Sequence, residues 1–211
     1  MPDPQPSLEA LITAVEQADS ATALVQAVED LAAIQSPLAV PQLITVLGFN
    51  NPGAAVAAVD GLVQIGEPAI PHLLENMDGY NYGARAWATR ACAGIGDPRA
   101  LELLLEAALT DFALSVRRAA AKGLGFIRWQ RLPADQHLPV QTRLYEALIQ
   151  IAQDSEWVVR YAAIAGLENL ALTSTQFGPT IVTWLQKRVP TETEAIVQER
   201  ITWALENLSD P

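Results

Sequence analysis

Five short runs decide the fold: GLVQIG (61–66), ACAGIG (91–96), GLGFI (123–127), GLENL (166–170) and ALENL (204–208). Aligned, they place Leu31, Leu62, Cys92, Leu124, Leu167 and Leu205 in one column, with spacings of 31, 30, 32, 43 and 38 residues. A recurrence of that length is one helical hairpin per repeat. Upstream and downstream of each anchor, apolar residues recur at helical spacing, as in Ala58, Leu62 and Ile65, or Val116, Ala120, Leu124 and Ile127. Intervals of three and four residues lie on one face of a helix, so each unit carries a buried stripe.

The residue before the anchor is small in most units: Gly61, Ala91, Gly123, Gly166 and Ala204. Small side chains there let neighbouring helices approach closely, offsetting the roughly 1 kcal/mol helix penalty of glycine. Ser36-Pro37, Asn51-Pro52, Gly66-Glu67-Pro68 and Asp97-Pro98 set capping residues beside a proline whose missing N–H is not needed in a first helical turn. Thr191 and Glu194 have capping-box spacing. The expectation is about twelve helices in six pairs without a strand. The longest irregular stretch is expected near Trp129 to Pro139, to account for the 43-residue spacing.

One hairpin leaves its stripe exposed and stacking covers it. The predicted fold class is therefore an all-α, right-handed α-solenoid of about six hairpins, a single repeat domain over residues 1–211. A second column supports it: Arg85, Arg117 and Arg160 stand seven residues before their anchors, and Asp111 and Asp154 thirteen before theirs. This Asp-then-Arg recurrence resembles that of HEAT-like repeats, where the arginine ties adjacent repeats through carboxylates or carbonyl oxygens. Positions six and two before the anchor are predicted to line the concave side, and Arg90, Arg118, Lys122 and Tyr161 fall there, flanked by Trp87. Rings and cations on one face predict a ligand or partner surface, against the plainer reading of a solvated face.

Charge is unevenly spread. Residues 1–84 carry ten acids and no Lys or Arg (−10), residues 85–131 carry +4, and residues 132–211 carry −5, for a net charge of −11. An acidic protein is repelled by nucleic acid and by anionic lipid, so neither is an expected partner. The basic island suits a small anionic ligand or an acidic patch. Leu31 to Val59 lacks charge altogether, but prolines 37 and 41 and the Asn50-Asn51-Pro52-Gly53 break argue for two short buried helices over a membrane span. The same segment is a candidate docking surface.

MPDPQPSLEA has neither a basic n-region nor an apolar h-region, so no signal peptide is expected and the mature chain should begin near Met1. Cys92 alone excludes a disulfide framework, favours a reducing compartment, and in its anchor column reads as a small buried hydrophobe. His72 and His137 are isolated, which predicts no metal site, and no nucleotide-binding motif appears.

Residues 77–125 go further. YNYGARAW (80–87) and ALSVRRAAAKGLG (113–125) resemble the central block of the F subunit of the E/F-type phycobilin lyases, a HEAT-like repeat family found with phycobilisomes. The resemblance implies a cyanobacterial cytosolic protein that pairs with an E-type subunit. That pair attaches phycocyanobilin, its substrate, through a thioether to a cysteine of the phycocyanin alpha subunit, and no cofactor is implied. Related lyases that also isomerise the bilin carry a Cys-His motif; here Ala93 follows Cys92, which disfavours that activity. A bilin with two propionates needs aromatic walls and cations, roles that fit Tyr80, Tyr82, Trp87, Arg85 and Arg90. Asp78, or an acid of the partner, is the candidate for pyrrole protonation. The structural alternative for Tyr80 to Trp87 is a turn and helix start packed on the repeat below. Two rival functions stay open: a non-catalytic HEAT-repeat adaptor in phycobilisome assembly or degradation, and a repeat scaffold unrelated to pigments.

Overall fold

The computed structural model describes residues 6–75 and 81–209. Twelve α-helices and no strand occur among them, arranged in two compact units, Met1–Ile95 and Gly96–Pro211. The first unit holds three hairpins, α1 (Leu8–Glu16) with α2 (Ala21–Ala33), α3 (Val40–Val46) with α4 (Pro52–Ile65), and α5 (Ala69–Glu75) with α6 (Tyr82–Ile95). The second holds α7 (Leu101–Thr110) with α8 (Leu114–Leu124), α9 (Ala134–Ile151) with α10 (Trp157–Thr173), and α11 (Gly178–Arg188) with α12 (Ala195–Ser209). Inside each unit the second helices stack, α2 on α4 on α6 and α8 on α10 on α12.

Capping follows the local sequence. Ser36, Asn51 and Asp97 accept from the N–H groups of Leu38, Ala54 and Arg99, satisfying donors that a helix start leaves open. At the end of α4, Gly66 has φ +77 and its N–H reaches the Leu62 carbonyl, a left-handed stop that glycine adopts without a Cβ clash. The Thr191–Glu194 capping box does not form. Thr191 instead donates to the Arg188 carbonyl at 2.9 Å, and Glu192 accepts from the N–H groups of Thr193 and Glu194 at 3.0 and 3.1 Å.

The anchors Leu31, Leu62, Cys92, Leu124 and Leu167 are fully buried. Leu205 is only half-buried, while Ala204, Ile201 and Val197 of its helix are completely enclosed. The register of this last helix is as expected. A Cβ on Gly61 would stand 2.6 Å from that of Ala32, and one on Gly166 would stand 2.8 Å from Leu148 Cδ2 and 2.9 Å from the Ala121 oxygen. The small column is therefore where stacked helices touch.

Two boundaries differ from expectation. Trp129–Arg131 is a short 3₁₀ turn, and Pro139 lies inside α9 instead of before it. The long 43-residue interval comes mainly from the 18-residue α9, against 10 residues for α7, and not from an extended loop. Pro139 is the sixth residue of α9, past the first turn, and costs the helix one intrahelical bond. The charge-free stretch from Leu31 to Val59 spans the end of α2, all of α3 and the first half of α4. No helix among the described residues is long and apolar enough to cross a membrane.

Candidate functional site

The expected ladder of arginines is present in the second unit. Arg117 of α8 donates from Nε and Nη2 to the Asp154 carboxylate at 2.9 and 3.3 Å, and from Nη1 to the carbonyls of Asp111 and Phe112. One repeat on, Arg160 makes the same set, at 3.1 and 2.8 Å to Glu192 and through Nη1 to the carbonyls of Asp154 and Ser155. Glu192 stands thirteen residues before Leu205, the column of Asp111 and Asp154, so it is the same acceptor with one more methylene. These arginines are struts between repeats.

The candidate ligand side chains lie on other faces. In the first unit, Tyr82 opens α6 and is 58 % exposed, Arg85 and Trp87 are half-buried and Arg90 is exposed. The Asn81 carboxamide oxygen fixes this helix start by accepting from the Ala84 N–H at 3.0 Å. Arg90 and Trp87, three residues apart, form a cation–π pair with the guanidinium carbon 5.5 Å from the ring centre. Arg85 occupies the strut column of Arg117 and Arg160, which weighs against a role in ligand binding. Asp78 and Tyr80 lie outside the described residues.

In the second unit, Arg118 and Lys122 sit one turn apart on α8, exposed and without an ion pair among the described residues. Two unpaired cations at this spacing can meet a carboxylate, or two, without losing an existing partner. Tyr161 is half-buried on α10, and its ring stands 5.7 Å from the Arg200 guanidinium. Arg200 lies 5.0 Å from the ring of Trp203 on its own helix. The pair Arg200 and Trp203 thus repeats that of Trp87 and Arg90, at five and two residues before the anchor, with the residue types exchanged.

Trp203, two residues before its anchor, falls on the predicted face by its spacing, whereas Arg200, five before, was not among the expected residues. The signal was the spacing of three between a tryptophan and an arginine. The partner carboxylate, Glu168, lies 32 residues away and no local pattern announces it. A concavity of 470 Å³ lies beside Val189, Ala195, Gln198, Glu199, Thr202, Trp203 and Glu206. Two carboxylates, Glu199 and Glu206, line it, and no Lys or Arg of the described residues does. Among the described residues no group of three or more His, Cys, Asp or Glu could hold a metal ion, and Cys92 is buried.

Comparison with known proteins bears on what these faces serve. Residues 70–139 match the family model for HEAT repeats, and residues 54–79 match that for the PBS lyase HEAT-like repeat. The chain is 69 % identical over 203 residues to phycocyanin alpha phycocyanobilin lyase CpcF of Synechocystis sp. PCC 6803, covering 96 % of this chain and 95 % of that protein. It is 47 % identical over 194 residues to phycocyanobilin lyase subunit beta of Nostoc sp. PCC 7120, covering 92 % and 96 %. Among solved structures it resembles a chain in the complex of CpcE and CpcF of phycocyanin lyase from Nostoc sp. PCC 7120, with TM-score 0.76, 47 % identity, and 80 % of this chain and 99 % of that chain covered. A designed armadillo repeat protein, 16 % identical at TM-score 0.54, shares the fold alone. Identity of this extent, carried on stacked helical hairpins, shows that the chain belongs to the family of phycocyanobilin lyase beta subunits, the CpcF-type HEAT-like repeat proteins.

Proposed function

We propose that this chain is one half of a heterodimeric bilin lyase which, with an E-type subunit, attaches phycocyanobilin by a thioether to a cysteine of the phycocyanin alpha subunit. The observation that carries the reading is 69 % identity over nearly the whole of both chains to a phycocyanin alpha phycocyanobilin lyase. Likeness to a chain solved in complex with CpcE supports the E-type partner.

The chemistry asks little of this chain beyond placement. The apoprotein thiol adds across a carbon–carbon double bond of the bilin: a carbon–sulfur bond forms, the thiol proton ends on the pigment, and nothing leaves. The nucleophile belongs to the apoprotein, which accords with the burial of Cys92. In the first unit exposed Arg90 supplies a cation for a propionate and Tyr82 and Trp87 supply walls for the conjugated rings; in the second, exposed Arg118 and Lys122 supply cations and Tyr161 a wall. Tyr80 and the acid Asp78 complete the set by their place in the sequence, and Arg85 stands second to its strut column. Holding a flexible tetrapyrrole in one pose against the acceptor thiol lowers the entropic part of the barrier. Phycocyanobilin enters as substrate without a further cofactor, in the cyanobacterial cytosol beside the phycobilisome.

The test is co-expression of this chain with an E-type subunit, phycocyanobilin and the apo alpha subunit of phycocyanin. Pigment that stays on the alpha subunit through denaturing electrophoresis is expected only when both lyase chains are present. Pigment held non-covalently, with none surviving denaturation, would leave the adaptor reading in its place.

A further inference from the structure

Arg200 of α12 has 6 % of its side chain exposed. Its Nη2 donates to Glu168 Oε2 of α10, and the second oxygen of that carboxylate accepts from Asn207 Nδ2 at 2.7 Å. The other terminal nitrogen, Nη1, is buried and has no hydrogen-bond partner. Buried donors in folded proteins are nearly always satisfied, and charged ones most stringently, so an orphan guanidinium N–H calls for an acceptor that is not part of the chain.

The surroundings say what kind of acceptor. The guanidinium lies under two rings, Tyr161 at 5.7 Å and Trp203 at 5.0 Å. Trp203 is 55 % exposed and Trp157, one turn before Tyr161 on α10, is 43 % exposed. Ile196, one turn before Arg200 on α12, is 46 % exposed. Because α10 and α12 pack together and these positions share helix faces by their spacing, they set an apolar and aromatic strip beside one buried cation. A small inorganic anion makes no use of such a strip, whereas a long conjugated acid would stack on it.

We propose that Arg200, Tyr161, Trp203 and Trp157 form a carboxylate-anchoring subsite for the bilin, with Arg200 Nη1 taking one propionate and the rings packing on the adjoining π-system. Trp203, the most exposed of the covering groups, turns aside to admit the carboxylate. The subsite rests on the bilin-lyase reading and extends it to the last two hairpins.

The test titrates phycocyanobilin and its dimethyl ester into the complex of this chain with its E-type subunit, followed by the absorbance of the pigment. Removing Arg200 alone would strand the buried Glu168 charge and risk misfolding, so the main variant is Arg200→Met with Glu168→Leu, which removes both charges. It should cut the preference for the free acid over the ester about tenfold, the usual worth of one charge-assisted hydrogen bond. Trp203→Ala should weaken both ligands about fivefold, as loss of a stacking wall does, and leave the preference intact. A double variant that melts like the parent and keeps the full preference would overturn the subsite, as would unchanged affinities in Trp203→Ala. Chromophore transfer in the same preparations separates the two readings: normal transfer with an unaltered preference sinks the subsite alone. A parent complex that neither binds pigment nor transfers it sinks both.

Discussion

At the scale of single residues, Glu192 is the most constrained group in the described chain. Its side chain is 1 % exposed, yet it takes Arg160 through both oxygens, Arg188 at 2.8 Å, and two backbone N–H groups. Burial pushes its pKa up, but the Arg160 hydrogen bonds, the Glu194 N–H and the two guanidinium charges outweigh that and hold it at about 2, against 4.5 for a free glutamate. A carboxylate with a lowered folded pKa contributes stability that is complete above the unfolded value and lost as pH falls through the folded one. The shift corresponds to roughly 3 kcal/mol, lost between about pH 4.5 and pH 2. Glu192→Gln should therefore melt lower at pH 7 and show a much flatter dependence of Tm on pH across that window. A variant whose Tm falls with acid as steeply as the parent's would contradict this assignment. Glu192 was partly legible: its column was visible in Asp111 and Asp154, but the change to glutamate hid it, and the Thr191–Glu194 spacing drew attention away.

At the scale of elements, the contact between α8 and α10 is set by two glycines. A Cβ on Gly125 would lie 2.3 Å from both Cα and O of Gly166, backbone against backbone, while one on Gly166 meets the mobile end of Leu148 at 2.8 Å and the Ala121 oxygen at 2.9 Å. Overpacking of this kind costs about 1–3 kcal/mol, and more where only backbone can yield. Gly125→Ala is expected to be the more damaging and Gly166→Ala the milder, as measured by urea unfolding; the reverse order would mean that the helices separate at little cost. The strut from α8 to the connection before α10 gives a second prediction. Arg117→Met leaves the part-buried Asp154 carboxylate without its guanidinium and removes the Arg117 donor from two carbonyls, a loss of about 3 kcal/mol by the same measurement. A loss under about 0.5 kcal/mol, typical of an exposed pair, would show that the strut does not bear on stability.

At the scale of the whole molecule, function requires cations that structure has not already claimed. Arg117 and Arg160 are claimed, whereas Arg90, Arg118 and Lys122 are exposed. Arg90→Glu with Arg118→Glu should lower bilin transfer to the apo alpha subunit more than tenfold and shift Tm by only a degree or two, because surface charges contribute little to stability. Undiminished transfer would remove both residues from a part in handling the bilin. Much of the molecule follows from the sequence alone. The recurring anchor, the small residue before it, the proline-marked helix starts and the Asp–Arg column are each consequences of a 3.6-residue helical period and of stacking on a near neighbour, and both are written in local spacing. Tertiary structure alone decided which polar groups are satisfied. Glu192 serving two arginines, Arg200 buried under Tyr161 and Trp203 with one nitrogen unpaired, and Pro139 carried within α9 all depend on residues about 30 positions away or on the length of an element. Hydrogen bonding between repeats joins side chains that are neighbours in space only once hairpins have stacked, so periodicity predicts the stack but not the partners within it.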